Sequence, residues 1–301
     1  MRIISFWGKG GVGKTTCSAS LAVRLAKGGH KVLLVTSDPT PSLSDILGVE
    51  LGPDPRVVSG SLYAAELDED AVVERWKRRF GKEVYDVVSS FLPVGEEVID
   101  YIAGAPGIGF EFMLWYILDK KSTGEYDFIV WDTAPAGGAL SLVKLEEQLY
   151  SHLGDAAAMY LRVKSTLDKI RRKERADPLK LISSWRKLAE DVLGMLASPE
   201  FEAYIVTIPE WLGYTQAKRI MQELAAFSIR VRKVIVNQVF QREACSCKPW
   251  VRKSEVHARY LELLEREFGK SPGIIVIPML PEDIQGEEKL LEFSEYLKGV
   301  S

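Results

Sequence analysis

The sequence predicts an α/β fold in which a mostly parallel sheet is flanked by helices and carries an inserted helical subdomain. Three observations lead there. The first 40 residues alternate as strand, Gly-rich turn, helix and strand, a compact βαβ unit. Four later runs, at 128–131, 203–208, 231–236 and 274–277, are short and rich in β-branched residues, as interior strands of a sheet covered on both faces should be. Two long stretches, about 68–121 and 142–196, carry helical periodicity instead and exceed what simple crossover helices require.

Taken in order, residues 3–7 form an apolar strand that runs into the Gly-rich turn. A helix is expected from Lys14 to about Lys27, stopped by Gly28-Gly29, and a second strand over 31–36. The 301 residues, 47% hydrophobic and 27% charged, suit one large domain over 1–301, its helical subdomain built from the two insertions rather than appended. No internal repeat stands out. A net charge of −3 and a pI near 5.8 provide no basic field to draw the chain onto nucleic acid or anionic lipid. No apolar run reaches transmembrane length, and the first residues lack the pattern of a secretory signal. Three cysteines, Cys17, Cys245 and Cys247, are too few for a disulfide framework, so a reducing, cytoplasmic setting is expected.

Chemistry concentrates in Gly8-Lys9-Gly10-Gly11-Val12-Gly13-Lys14-Thr15, which fits G-x-x-x-x-G-K-[ST] directly after a strand and at the start of a helix. In this P-loop the glycines let backbone N–H groups turn onto phosphate oxygens, and the helix N-terminus adds partial positive charge. Lys14 should reach the β and γ phosphates of ATP, and the Thr15 hydroxyl should ligate Mg2+. Only one such loop is present, which excludes a duplicated tandem ATPase.

Lys9 and Thr16 extend the loop to K-G-G-x-G-K-[ST]-[ST]. With it the chain resembles the deviant-Walker ATPases, a group that includes ParA/MinD proteins, the nitrogenase iron protein and ArsA-type ATPases. The resemblance implies a homodimer in which Lys9 crosses to the partner's nucleotide and stabilises transition-state charge; the plain alternative is a solvated loop lysine. Asp132 ends the strand at 128–131, where a Walker-B carboxylate holds Mg2+, and Asp132-Thr133-Ala134-Pro135-Ala136-Gly137 resembles switch II of the ArsA group. Asp38, in Asp38-Pro39-Thr40-Pro41-Ser42-Leu43-Ser44-Asp45, resembles the switch I aspartate that activates the attacking water. Its alternative role is to cap the turn before Pro39. Glu210, in an I-P-E-aromatic segment, Asn237 at a strand end, and Pro278 and Met279 before a loop resemble the nucleotide contacts of that group.

Across nearly the whole chain the resemblance is to the ArsA/Get branch, whose targeting members deliver tail-anchored membrane proteins in the Get/TRC pathway. It implies an ATPase that holds a hydrophobic transmembrane segment and hands it to a membrane receptor. The expected groove wall lies at 84–92, 98–103, 110–118 and 156–161, with Met113, Trp115 and Met159; such apolar spacing equally describes a packed core. Three features depart from the branch: Pro41 and Gly138 stand where its switches commonly carry His, and Cys245-Ser246-Cys247 replaces C-x-x-C. Cys245 and Cys247 read either as Zn2+ ligands at a dimer interface or as reduced thiols. The alternatives are a ParA/MinD-like spatial organiser, against which the acidic C-terminal stretch argues, and an arsenite-transport-associated ATPase, which would need cysteines absent between 17 and 245. A metal-cluster enzyme needs widely separated cysteines, unlike Cys245 and Cys247.

Overall fold

The computed structural model describes residues 1–36, 38, 42–91, 94–104, 108–134, 178–240 and 247–300. The chain divides into two compact units, Met1–Asp68 with Lys120–Leu140 and Leu196–Ser301, and Glu69–Asp119 with Ser141–Met195.

The first unit is built on an eight-stranded sheet: β1 (Arg2–Trp7), β2 (Val32–Thr36), β3 (Arg56–Ser59), β4 (Leu62–Glu66), β5 (Phe128–Asp132), β6 (Phe201–Thr207), β7 (Arg230–Val239) and β8 (Ile274–Pro278). Their order is β3-β4-β2-β5-β1-β6-β7-β8, parallel throughout except for the antiparallel β3–β4 pair. β1 therefore lies centrally between β5 and β6, and the loop that follows it opens at the carboxyl ends of its neighbours. Residues 3–7 of β1 are wholly buried, as are the four apolar residues of β2. Ser5, the one polar residue among them, accepts from the Trp7 indole at 2.7 Å and donates to the Glu202 carbonyl at 3.0 Å.

Helix α1 (Lys14–Lys27) packs against this sheet. Gly29, at φ 90°, ends it in a left-handed turn: Gly29 donates to the Ala26 carbonyl at 3.0 Å and His30 to Leu25 at 3.2 Å, closing a Schellman motif. The first unit also holds the short α2 (Leu43–Leu47), α7 (Trp211–Ala226), α8 (Lys248–Phe268) and α9 (Gly286–Ser294). The hairpin β3–β4 lies outside the sequence expectation. β3 is half solvated at the sheet edge, and Leu62-Tyr63-Ala64-Ala65-Glu66 contains two alanines and a glutamate, residues that sit as readily in a helix; pairing with β2 decides its state.

The second unit contains α3 (Glu69–Phe91), α4 (Glu97–Ala103), most of α5 (Ile108–Thr123) and most of α6 (Pro178–Leu196). α3 and α4 approach closely at Gly81, where an added Cβ would stand 3.0 Å from Ile99. Phe80 and Phe112 both pack on Trp115, and the Trp185 indole donates to Glu83 at 3.4 Å. Of the expected groove wall, Val84, Ala103, Met113 and Leu114 are buried and Tyr101 is 84% exposed, so these buried side chains serve as packing in this conformation; 156–161, with Met159, lies outside the described residues. No described helix is long and apolar enough to cross a membrane.

Candidate functional site

The turn after β1 is shaped by two glycines. A Cβ on Gly8 would stand 2.3 Å from the Val206 carbonyl oxygen, so only glycine lets β1 leave the sheet beside β6. Gly13 combines φ 94° with a Cβ position 2.4 Å from the Asn237 amide nitrogen. Between them, Gly10 and Gly11 face open space on their Cβ sides. The first turn of α1 contains no acidic residue, so its free N–H groups and partial positive charge are available to an anion. Lys14, only 5% exposed, folds back so that its ammonium donates to the Lys9 carbonyl at 3.2 Å. Burial lowers its pKa, while Asp132 and Asp38 pull it back up.

Asp132 lies in one register row with Thr36 of β2 and Phe6 of β1. Its Oδ2 accepts from Thr15 Oγ1 at 2.7 Å and from Thr36 Oγ1 at 3.4 Å, whereas its Oδ1, fully buried, has no hydrogen-bond partner among the described residues. Thr133 locks the strand end in place through its hydroxyl, which donates to the Phe6 carbonyl at 2.7 Å. The hydroxyl of Thr15 and the orphaned carboxylate oxygen form an all-oxygen donor pair, the kind that could hold Mg2+.

Burial pushes the Asp132 carboxyl up to about 6, with the Thr15 bond and the Lys14 charge opposing and Asp38 assisting. The folded chain thus binds this proton more tightly than the unfolded chain. The stabilising contribution is complete below about pH 4 and is lost as pH rises through 6. Holding the group ionised in the nucleotide-free protein costs on the order of 3 kcal/mol. Asp132→Asn, which can still accept from Thr15, is therefore expected to melt several degrees above the parent at pH 8 without nucleotide. The gap should close toward pH 4. Thermal melts of both proteins across that range check this, and a variant melting below the parent at pH 8 contradicts it.

Asp38 is half-buried, and its backbone N–H donates to Thr36 Oγ1 at 3.1 Å, the same hydroxyl that donates to Asp132. Ser42 Oγ lies 3.5 Å from Thr15 Oγ1. Asp38 and Ser42 are therefore both linked to the Thr15–Asp132 pair. Glu66, absent from the sequence reading, accepts from the Leu43 N–H at 3.0 Å and, in a short bond, from the Ser44 hydroxyl.

Lys9 is half-buried, and its charge helps hold the Glu210 carboxyl low; the larger cause is the bond from Lys253 Nζ at 2.5 Å. His257, 2% exposed, accepts from the Phe240 N–H at 2.9 Å through Nδ1, and its pKa is lowered chiefly by burial and then by Lys253. Lys253 and His257 sit one turn apart on α8, more than 40 residues from Glu210, and no local spacing in the sequence signals the partnership.

Asn237, 5% exposed, donates to the Val12 carbonyl at 2.9 Å, and Gln238 reaches the Gly11 carbonyl at 3.4 Å. The end of β7 thus holds the P-loop from below. Met279, 41% exposed, donates to the Val239 carbonyl at 2.9 Å, and Pro278 pairs in register with Val239, so the Pro278–Met279 turn stands beside the same strand end. Thr16 is half-buried in the first turn of α1. Cys247 is an exposed free thiol before α8, and Cys245 lies outside the described residues, as do Pro41 and residues 135–138. No group of three or more potential metal-binding His, Cys, Asp and Glu side chains occurs among the described residues, and the zinc expectation finds no support.

A glycine cradle after the central strand, with its lysine and threonine gathered against a buried strand-end aspartate, defines a P-loop nucleotide hydrolase. The sequence profile described as anion-transporting ATPase matches residues 1–299. The chain belongs to this ArsA-type ATPase family and is an ATP-hydrolysing enzyme. Among its relatives is the "ATPase get3" of Pyrenophora tritici-repentis, 28% identical over 99% of this chain and 91% of the relative. The "ATPase get3" proteins of Aspergillus niger and Aspergillus terreus are each 29% identical over 99% of this chain and 90% of theirs.

Proposed function

We propose that this ATPase works as a cytoplasmic homodimer that shields transmembrane segments of tail-anchored membrane proteins from water and passes them to a membrane receptor. What carries the reading is the pairing of a lysine-bearing P-loop, Lys9 beside Glu210, with a helical unit assembled from two insertions into the ATPase chain. The whole-length similarity to the get3 ATPases supports it.

In the proposed cycle the amides of residues 10–15 and the Lys14 ammonium bind the phosphates. Thr15 and Asp132 would hold Mg2+, which would supply neutralising charge to the phosphate oxygens. Asp38 accepts a hydrogen bond from the attacking water and aligns it with the γ-phosphorus. Lys9 reaches the partner subunit's nucleotide, while Glu210, Asn237, Pro278 and Met279 flank the nucleoside. The helical unit, from insertions at about 68–121 and 142–196, is the proposed client-binding subdomain.

The purified chain with Mg2+ and ATP is expected to keep a tail-anchored transmembrane segment in the supernatant after centrifugation, in a complex the size of two chains plus client. Equal aggregation of the segment with and without ATP would sink the reading.

A further inference from the structure

We propose that Glu66 is a positioning residue for hydrolysis, anchoring the downstream end of the segment that carries Asp38 and Ser42. The inference rests on the role of Asp38 proposed above. Glu66 ends β4, is 8% exposed, and pairs in register with Thr36. Thr36 anchors the upstream end, where its hydroxyl accepts from the Asp38 N–H at 3.1 Å and donates to Asp132 at 3.4 Å. Two neighbouring strand ends thus grip the chain on either side of the switch.

The chemistry at the downstream end is not that of an ordinary helix start. Ser42 occupies the N-cap of α2, where a serine hydroxyl commonly accepts from a backbone N–H of the first turn. Here it makes no capping bond. Glu66 Oε1 takes the N–H of Leu43, the first helical residue, and Oε2 takes the Ser44 hydroxyl, which in turn accepts from the Leu51 N–H at 3.2 Å. The Ser42 hydroxyl, which makes no capping bond to the helix, stands 3.5 Å from Thr15 Oγ1. A five-residue helix gains little from a buried carboxylate. Fixing Leu43 and Ser44, directly after Ser42, anchors the downstream end of the segment that carries Asp38 and Ser42, and this accounts for its placement.

The test compares steady-state ATP turnover and the affinity for a fluorescent ATP analogue with Mg2+ in the full chain, for Glu66→Ala, Glu66→Gln, Ser44→Ala and Asp38→Asn. Glu66→Ala is expected to lower kcat by about tenfold or more with nucleotide affinity changed by less than about threefold. Glu66→Gln should recover most of that loss, because its amide oxygen can still accept from Leu43 and its N–H can donate to Ser44. Turnover of Glu66→Ala within twofold of the parent overturns the assignment. So does a parallel loss of affinity and turnover that Glu66→Gln fails to rescue. If Glu66→Ala does not fold, Ser44→Ala carries the test: a several-fold loss of kcat at unchanged affinity supports the anchor, and parental turnover overturns it. A fully active Asp38→Asn defeats the underlying reading whatever the Glu66 variants do; an inactive Asp38→Asn beside a normal Glu66→Ala defeats the Glu66 proposal alone.

Discussion

Asp38→Asn is expected to lower kcat by about 10²–10⁴-fold while ATP binding survives. Asp38 belongs to no element of the phosphate cradle; it is tied through its backbone to Thr36 and through Thr36 to Asp132. The substitution keeps size and shape and removes only the charge that attracts the protons of a water molecule and orients its lone pair. Loss should therefore fall on the chemical step and spare the backbone amides that bind the phosphates. The check is a single-turnover ATPase assay beside a thermal-shift titration with Mg2+-ATP. Parental turnover would remove Asp38 from the mechanism, and loss of the nucleotide-induced shift would assign it to binding.

Lys14→Ala is expected to weaken ATP binding severely and with it turnover, without unfolding the protein. Truncating a buried side chain ordinarily destabilises, but Lys14 is a buried cation whose pKa is already lowered by desolvation, and among the described residues its ammonium bonds only the Lys9 carbonyl. Removing it relieves a desolvation cost while leaving a gap, so the melting temperature of the nucleotide-free protein should change little. A charge-assisted hydrogen bond contributes about 1.5–3 kcal/mol, so affinity should fall by roughly 10- to 150-fold. At an ATP concentration about 100 times the parent Kd, the parent gains about 2.7 kcal/mol of stability, and the variant should lose most of that gain. A variant that unfolds without nucleotide, or that retains the full ATP shift, contradicts this account.

The two predictions differ because the residues were legible in different ways. Lys14 and Thr15 belong to a continuous motif whose spacing follows from the phosphate it surrounds, so a short stretch of sequence carries the whole geometry. Asp132 was legible as an aspartate ending an apolar strand, but its orphaned oxygen and its carboxyl near 6 emerge only when β5 is packed between β1 and β2. Asn237 was read as a nucleotide contact from its strand-end position; the fold also places it beneath Val12, where Gly13 must lack a side chain. Glu66, Lys253 and His257 carried no local signal at all, because each acts through a partner supplied by another element.

By itself the sequence determined the α/β class, the parallel strands with their apolar runs, and the phosphate-binding turn. Each of these depends on the side-chain period or backbone freedom of neighbouring residues. Tertiary structure alone decided that residues 62–66 are a strand, that Glu66 holds the Leu43 N–H and the Ser44 hydroxyl at the start of α2, and that Glu210 pairs with Lys253. Those outcomes turn on hydrogen bonds and charge pairs between elements distant in sequence. A polar side chain's role is set by which partner burial leaves within reach, and sheet order, not residue order, supplies that partner.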